Sequence, residues 1–151
     1  MITIVISFII FTAWLIFIRL AFGKLDSISE SFYKLSEKYR FIFTLVLWGF
    51  SLPLMVNVNS VWLFLSISGI AFVGAAAAYK EGLTSAVHFI GAFGGIIMGL
   101  IYLLTQGLFW SVIPSTLVSV SLYFLSKRPT YWIEIVSYYT ILIGLIYLRL
   151  V

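Results

Sequence analysis

The chain has 151 residues, of which 63% are apolar, 19% aromatic and 9% charged, and it contains no cysteine. A soluble domain carries roughly 25% charged and about 45–50% apolar residues, so this composition excludes a water-soluble globule and predicts an all-α integral membrane protein. The absence of cysteine excludes a disulfide scaffold. The formal net charge of +4 indicates attraction to anionic lipid head groups rather than to nucleic acid, so the expected partner is the lipid bilayer.

Six apolar runs follow one another along the chain. Each is long enough to cross, or nearly cross, a hydrocarbon core about 30 Å thick, because a helix rises about 1.5 Å per residue. They cover residues 2–20, 41–57, 60–79, 83–104, 108–126 and 130–148. Most of the breaks between them are short, so we expect sequential helices to be antiparallel neighbours in one six-helix bundle that forms a single transmembrane domain.

The basic residues sort to one side of this predicted bundle. Eight of the nine lie in or beside the first, third and fifth connections, whereas Arg149 ends the chain on the opposite side. Short loops rich in lysine and arginine stay in the cytoplasm, so both termini are expected outside it, in a multi-pass protein of the inner or plasma membrane. No basic residue precedes Arg19, so the first run is expected to be a retained span rather than a cleavable signal.

Residues 21–40, between the first two runs, have the composition of a water-exposed element. Ser27 and Glu30 have the spacing of a capping box, which predicts a helix over about 28–39, and Glu30 is placed to pair with Lys34. One face of this helix is apolar. The residues on that face are Ile28, Phe32, Leu35 and Tyr39. We expect an amphipathic cytoplasmic helix that lies on the membrane surface or covers the helix ends as a lid, and a partner-docking surface is a third interpretation.

Small residues mark the third and fourth spans as helices that pack closely. The fourth span has a double G-x-x-x-G, formed by Gly91, Gly95 and Gly99. The third span has a matching strip, formed by Ser68, Ala71, Ala75 and Ala78 and followed by Tyr79. Small residues let helix backbones approach each other in lipid, so these two spans are expected to cross. A homo-oligomer interface is the alternative use of the glycines.

The fifth span carries hydroxyl groups at i, i+4 and i+8. They belong to Ser111, Ser115 and Ser119. Pro114 lies among them and frees a backbone carbonyl one turn earlier. Such a stripe either hydrogen-bonds to backbone carbonyls or lines a polar cavity, in which case the three serines would bind a ligand.

Two ionisable side chains lie within predicted spans. His88 is about five residues into the fourth span and Glu134 about four into the sixth, so both are expected at about the same depth below the cytoplasmic boundary. A carboxylate in hydrocarbon is costly unless it is paired, protonated or hydrated, which makes these two residues the candidate site. They either satisfy each other, the backbone or waters near the interface, with help from Tyr131, Tyr138 or Tyr139, or they bind or move a proton, ion or small polar solute, or they act in catalysis.

The sequence lacks a complete set of residues for a metal site or for a serine nucleophile with its base. The single histidine leaves at most His88, Glu134 and the loop acids Asp26 and Glu81 as metal ligands, so no metal and no cofactor are expected. A serine nucleophile for His88 would have to come from Ser85 or the fifth span, and no G-x-S-x-G elbow is present.

These absences favour a non-catalytic protein of unknown process. The first alternative is a membrane-embedded hydrolase or transferase that acts on lipid head groups, with His88 as general base and Glu134 orienting it. The second is a signalling or exclusion protein that acts through the cytoplasmic helix.

Three stretches of the sequence carry a resemblance. They are Ser27-Ile-Ser-Glu-Ser-Phe-Tyr33, Phe72-Val-Gly-Ala75 and Val87-His-Phe-Ile-Gly-Ala92. The chain resembles, over roughly residues 24–95, an uncharacterised family of small membrane proteins of bacterial and phage genomes. The resemblance implies a six-helix bacterial or phage membrane protein in which His88 matters, and it implies no activity.

Overall fold

A computed structural model of the chain describes residues 1–78, 80 and 82–151, with only the backbone of residue 83. These residues form α-helices and 3₁₀ turns, and no strand occurs among them. The helices are α1 Ile2–Phe22, α2 Ser31–Lys34, α3 Phe41–Met55, α4 Val61–Ala75, α5 Gly82–Thr105, α6 Phe109–Leu125 and α7 Pro129–Leu150. The predicted all-helical fold class is confirmed.

Each of the six predicted runs overlaps one of the long helices, α1 and α3 to α7. Within the described residues, three stretches are long and apolar enough to cross a membrane: Ile2–Phe22, Thr84–Thr105 and Pro129–Leu150. The other three helices, α3, α4 and α6, have 15, 15 and 17 residues. A helix of 15 residues is about 22 Å long, which is shorter than the hydrocarbon core.

Local sequence signals set several helix ends. Gly23 ends α1 with φ of +74°, a conformation that side chains disfavour. Ser60 caps α4, because its hydroxyl accepts from the N–H groups of Trp62 and Leu63. Pro129 opens α7 at a position where the missing N–H costs no hydrogen bond.

The segment between α1 and α3 is not the continuous helix predicted over 28–39. It consists of a 3₁₀ turn, Ile28–Glu30, then α2, then a second 3₁₀ turn, Glu37–Tyr39. Leu35 and Ser36 have extended backbone, with ψ of 140° and 149°, which separates α2 from the second turn.

Burial explains why the segment is broken. Ser29 and Ser31 are buried together with Ile28 and Leu35, although the predicted helix would have kept the two serines off its apolar face. The segment therefore inserts between the helix ends instead of lying flat on a surface. Tyr39 is 48% exposed, whereas Ile28 and Leu35 of the same predicted face are buried and Phe32 is partly buried.

The capping box forms in part. Ser27 Oγ accepts from the N–H of Glu30 at 3.2 Å. The Glu30 carboxylate accepts from the N–H of Asp26 at 2.7 Å, one residue before the position expected for a reciprocal box, and it pairs with Lys34 at 3.5 Å.

Contacts between helix ends define two ends of the bundle. At one end, the Asn57 amide donates to Thr3 Oγ1 at 2.8 Å, which joins the end of α3 to the start of α1. At the other end, the N–H of Tyr131 donates to the carbonyl of Asp26 at 3.1 Å, and the N–H of Lys80 donates to the hydroxyl of Tyr33 at 2.7 Å. The second end therefore gathers segment 23–40 with the α4–α5 and α6–α7 connections.

The helices α4 and α5 cross with their backbones in contact. A Cβ atom added at Gly69 would lie 2.6 Å from the carbonyl oxygen of Gly91 and 2.9 Å from Cα of Gly95. The Ser66 hydroxyl donates to the carbonyl of Gly95 at 2.7 Å. Gly99 continues the line, and a Cβ there would meet Ser66 Oγ and the side chain of Ile141 in α7.

The closest described contacts of this crossing are not made by Ala71 and Ala75 of the predicted small-residue strip, although Ser68 of that strip borders the groove beside Gly69 and Gly91. Ala75 is exposed, and the carbonyl of Ala71 accepts from the indole of Trp48 in α3 at 3.1 Å. Residue size alone marks the strip, whereas the closest contacts use Ser66 and Gly69, which lie on another side of α4. Tyr79, the last residue of the predicted strip, is outside the described residues.

Candidate functional site

His88 and Glu134 lie at the same end of the bundle, under the 3₁₀ turn Ile28–Glu30. Each is within the first two turns of its helix, α5 for His88 and α7 for Glu134. Both side chains are buried, with exposed fractions of 2% and 9%. Buried polar groups require hydrogen-bond partners, and the partners determine what these two side chains can do.

The imidazole of His88 contacts two chain segments. Nδ1 lies 3.0 Å from the carbonyl oxygen of Ala76, and Nε2 lies 2.9 Å from the hydroxyl of Ser29. A carbonyl only accepts, so Nδ1 carries a proton, and in the neutral ring Nε2 then accepts from Ser29. His88 thereby joins α5, the end of α4 and segment 27–30.

The carboxylate of Glu134 holds the same segment from α7. Its Oε2 accepts from the N–H of Ile28 at 2.7 Å. Among the described contacts, Oε1 takes no hydrogen bond. One carboxylate oxygen is thus used by the fold, and the other is available to a bound molecule.

Direct pairing of His88 with Glu134 is not among the described contacts, whereas each side chain does have a backbone partner, which was the other expected arrangement. Their partners are instead Ser29 and Ile28, which are adjacent in the chain. The two side chains are therefore connected through the segment that covers them. They fasten it to α5 and α7.

A cavity of about 150 Å³ lies beside both side chains, between α5, α6 and α7. The lining residues with polar side chains are Ser27, Ser29, His88, Tyr123, Thr130 and Glu134. No lysine or arginine is among the described residues that line it. At about 30 Å³ per molecule in the liquid, this space is of the order of several waters.

The predicted hydroxyl stripe of α6 divides between two roles. Ser111 and Ser115 donate to carbonyls of their own helix, those of Leu108 at 3.0 Å and Val112 at 2.9 Å. Ser115 and Ser119 also line a groove of about 300 Å³ next to the cavity, whereas Ser111 lies outside it. The structure thus brings two of the three serines near the candidate site.

Sequence reasoning missed Ser29. It considered Ser85 and the serines of α6 as partners for His88, but the hydroxyl beside His88 Nε2 belongs to Ser29. The available signal was the capping box around Ser27, which places Ser29 close to the predicted cytoplasmic boundary. A helix lying flat on the membrane would have turned Ser29 away from α5, which is why the residue was overlooked.

No group of three or more metal-ligating side chains occurs among the described residues. Asp26 pairs instead with Arg128, at 3.4 Å, and Glu81 is outside the part of the chain that the structure describes. Comparison with known protein families, with characterised proteins and with solved structures finds no match for this chain. The interpretation of the site therefore depends on its geometry.

Proposed function

We propose that the chain is a non-catalytic protein that crosses the membrane six times and binds a small polar solute in the cavity beside His88 and Glu134. Its termini lie outside the cytoplasm, and the cavity opens near the cytoplasmic side. The bacterial or phage origin implied by the sequence resemblance is part of the same proposal.

The outer surface of the bundle supports membrane insertion. Large apolar side chains are exposed on its long helices, with exposed fractions of 81% for Leu20, 73% for Ile90 and 77% for Phe124. Soluble monomers do not expose apolar surface on this scale, so lipid is the medium that covers it. The short helices α3 and α4 fit a bilayer that thins locally, at a cost of a fraction of a kcal/mol per Å of mismatch.

The charge distribution supports the orientation. The end formed by segment 23–40 and by the α4–α5 and α6–α7 connections carries eight of the nine basic residues, and Arg149 lies in the last turn of α7 at the other end. The basic end is the cytoplasmic one under the positive-inside rule.

The free oxygen of Glu134 is the observation that carries the solute-binding proposal. Ile28 holds Oε2, and the same carboxylate borders a cavity without lysine or arginine among its described lining. A carboxylate with no basic partner favours a cation, a proton or a solute rich in hydrogen-bond donors. We expect a small cation such as methylammonium or Na⁺ to bind there.

Binding of radiolabelled methylammonium and of Na⁺ to the detergent-purified full chain tests this proposal. The wild type should bind at least one of them saturably, and Glu134→Gln should weaken that binding about tenfold or more, because it removes the charge while keeping an acceptor for Ile28. Glu37→Gln is the matched control, since Glu37 is an acid at the same end with its side chain 90% exposed. Binding of neither ion, or equal binding by Glu134→Gln, contradicts the proposal.

A second candidate function is favoured by the pair of Ser29 and His88. Their atoms Oγ and Nε2 are 2.9 Å apart, and the carbonyl of Ala76 orients the ring from the other side. A serine next to a histidine whose second nitrogen is fixed by an acceptor is the arrangement of an activated nucleophile. Both residues border the cavity, so a membrane-embedded hydrolase or transferase is the alternative.

A further inference from the structure

A groove of about 580 Å³ lies at the basic end of the bundle. It lies between the second half of α1 and the start of α7, and the α6–α7 connection forms one rim. It is separate from the cavity beside His88, because the two share no lining residue. The groove therefore takes no part in the solute site proposed above.

Four basic side chains surround this groove. They belong to Arg19, Lys24, Lys127 and Arg128. They come from two places that are far apart in the sequence, the end of α1 and the connection before α7. Like charges brought together in this way repel each other, so an anion bound between them would be stabilised.

The guanidinium of Arg128 provides a second and independent sign of an anion-binding site. Its Nε pairs with Asp26 at 3.4 Å, while its Nη1 is buried and has no hydrogen-bond partner among the described residues. A buried N–H group without a partner is costly, and a phosphate oxygen is a good acceptor for the guanidinium fork.

The remainder of the groove is apolar. Leu15, Ile16 and Trp132 continue it along α1 and α7, away from the basic rim. Ile16 and Trp132 are 55% and 46% exposed, so a hydrocarbon chain can lie against them. A soluble phosphate compound would leave this wall uncovered, whereas a phospholipid covers both parts.

We infer that this groove binds one anionic phospholipid, with its phosphate among the four basic side chains and an acyl chain along α1 and α7. The inference depends on the membrane placement proposed above, which puts the end of α1 and the start of α7 at the depth of the head groups. It does not depend on the cavity beside His88.

Native mass spectrometry of the detergent-purified full chain tests the inference, with short-chain phosphatidylglycerol and phosphatidylcholine as the probes. The wild type should bind phosphatidylglycerol about tenfold more tightly than phosphatidylcholine. The double variant Arg19→Gln/Arg128→Gln should lose this preference. Lys38→Gln/Arg149→Gln is the matched control, because it removes the same charge outside the groove and should keep the preference.

Substitution of Arg128 also removes its ion pair with Asp26 and could disturb the fold. The second double variant, Lys24→Gln/Lys127→Gln, tests the groove without this change. Both lysines are exposed and line the groove, and neither takes part in a described ion pair, so their loss should reduce the preference without unfolding the chain. Ile16→Ala should weaken binding more for longer acyl chains, which a bare anion site would not do.

Three outcomes would overturn the inference. They are equal binding of the two lipids by the wild type, a preference that both groove variants retain, and displacement of phosphatidylglycerol by an equal concentration of glycerol 3-phosphate, which would make the site one for soluble phosphates. Glu134→Gln should keep the lipid preference. Failure of the solute proposal and failure of this one are therefore distinguishable.

Discussion

His88 is held by partners from two different segments, a carbonyl at the end of α4 and a hydroxyl above α5. This geometry fits two alternative roles. In the first, a latch, the hydrogen bond only holds segment 27–30 in place, and in the second, a catalytic dyad, His88 activates Ser29. The two roles differ in one property. A latch needs only the hydrogen bond, whereas a nucleophile also needs the reaction of its oxygen with an electrophile.

Ser29→Ala separates these roles. We expect the wild type to remain unlabelled by a fluorophosphonate probe, and we expect Ser29→Ala to lower the free energy of unfolding by about 1 kcal/mol through the lost hydrogen bond, a shift in Tm of about 2–4 °C. Thermal unfolding in detergent measures the shift. Ser36→Ala, at an exposed serine of the same segment, should leave the Tm unchanged. Labelling that Ser29→Ala abolishes would instead support the hydrolase.

For single residues, the sequence predicts how far along its helix a side chain lies better than it predicts which groups that side chain contacts. His88 and Glu134 do lie at one end and within the first two turns of their helices, because residue counting along a helix translates directly into depth. Their partners Ser29 and Ile28 were not predictable. They depend on how segment 27–30 enters the bundle, and that is decided by tertiary burial and not by its amphipathic pattern.

Among the elements, the pair α4 and α5 has the closest backbone approach that the described glycines reveal. The glycines of α5 indicated a crossing by their spacing, since only small residues allow such an approach. The partner strip on α4 was harder to predict, because many small residues lie on more than one face of that helix. Ser66 is selected by its hydrogen bond to Gly95 as well as by its size.

Alanine substitutions on the two helices test the crossing. Gly69→Ala should destabilise the protein by about 1–3 kcal/mol, because its Cβ would meet backbone atoms of α5 that cannot rotate away. Gly94→Ala is the control, since a Cβ there has nothing within 4 Å. Both changes raise helix propensity equally, so the difference in Tm between them isolates the contact. Equal Tm values would show that the helices separate easily at Gly69.

Gly94 also tests for a homo-oligomer interface on the face of α5 that does not contact α4, since Gly91, Gly95 and Gly99 pack inside the bundle. A homo-oligomer built on the outer face of α5 would lose affinity when Gly94 is enlarged, while the fold of each copy stayed intact. Size-exclusion chromatography of Gly94→Leu in mild detergent measures this directly.

Across the whole molecule, helix length and the distribution of charge give different information about how many times the chain crosses the membrane. Length supports three spans, α1, α5 and α7, among the described residues. Charge adds α6, because Lys127 and Arg128 lie on the same side as Lys80 only if both α5 and α6 cross, but it is the same whether α3 and α4 both cross or both stay on the cytoplasmic side. The sequence could predict the number of elements from its long apolar runs. It could not predict that α3 and α4 would each end at 15 residues, because Val56 and Ala76, at which these helices end, are as apolar as the residues before them.

Single cysteines introduced into this cysteine-free chain decide between three and six crossings. With six crossings, a membrane-impermeant maleimide applied to intact cells should label Asn59→Cys and Gln106→Cys, and it should label Ser36→Cys only after permeabilisation. All three positions are exposed, so differences in labelling report the side of the membrane rather than burial.

Asn59 is the informative position, because it lies between α3 and α4. If those two helices stayed on the cytoplasmic side, Asn59→Cys would behave like Ser36→Cys, and the six-crossing proposal would fail while α1 still crossed. Ile143→Cys is the control for insertion itself. Its side chain is 48% exposed in the second half of α7, and a thiol surrounded by lipid does not form the reactive thiolate, so it should remain unlabelled under both conditions. Labelling of Ile143→Cys in permeabilised cells would place that face of α7 in water and contradict the membrane placement.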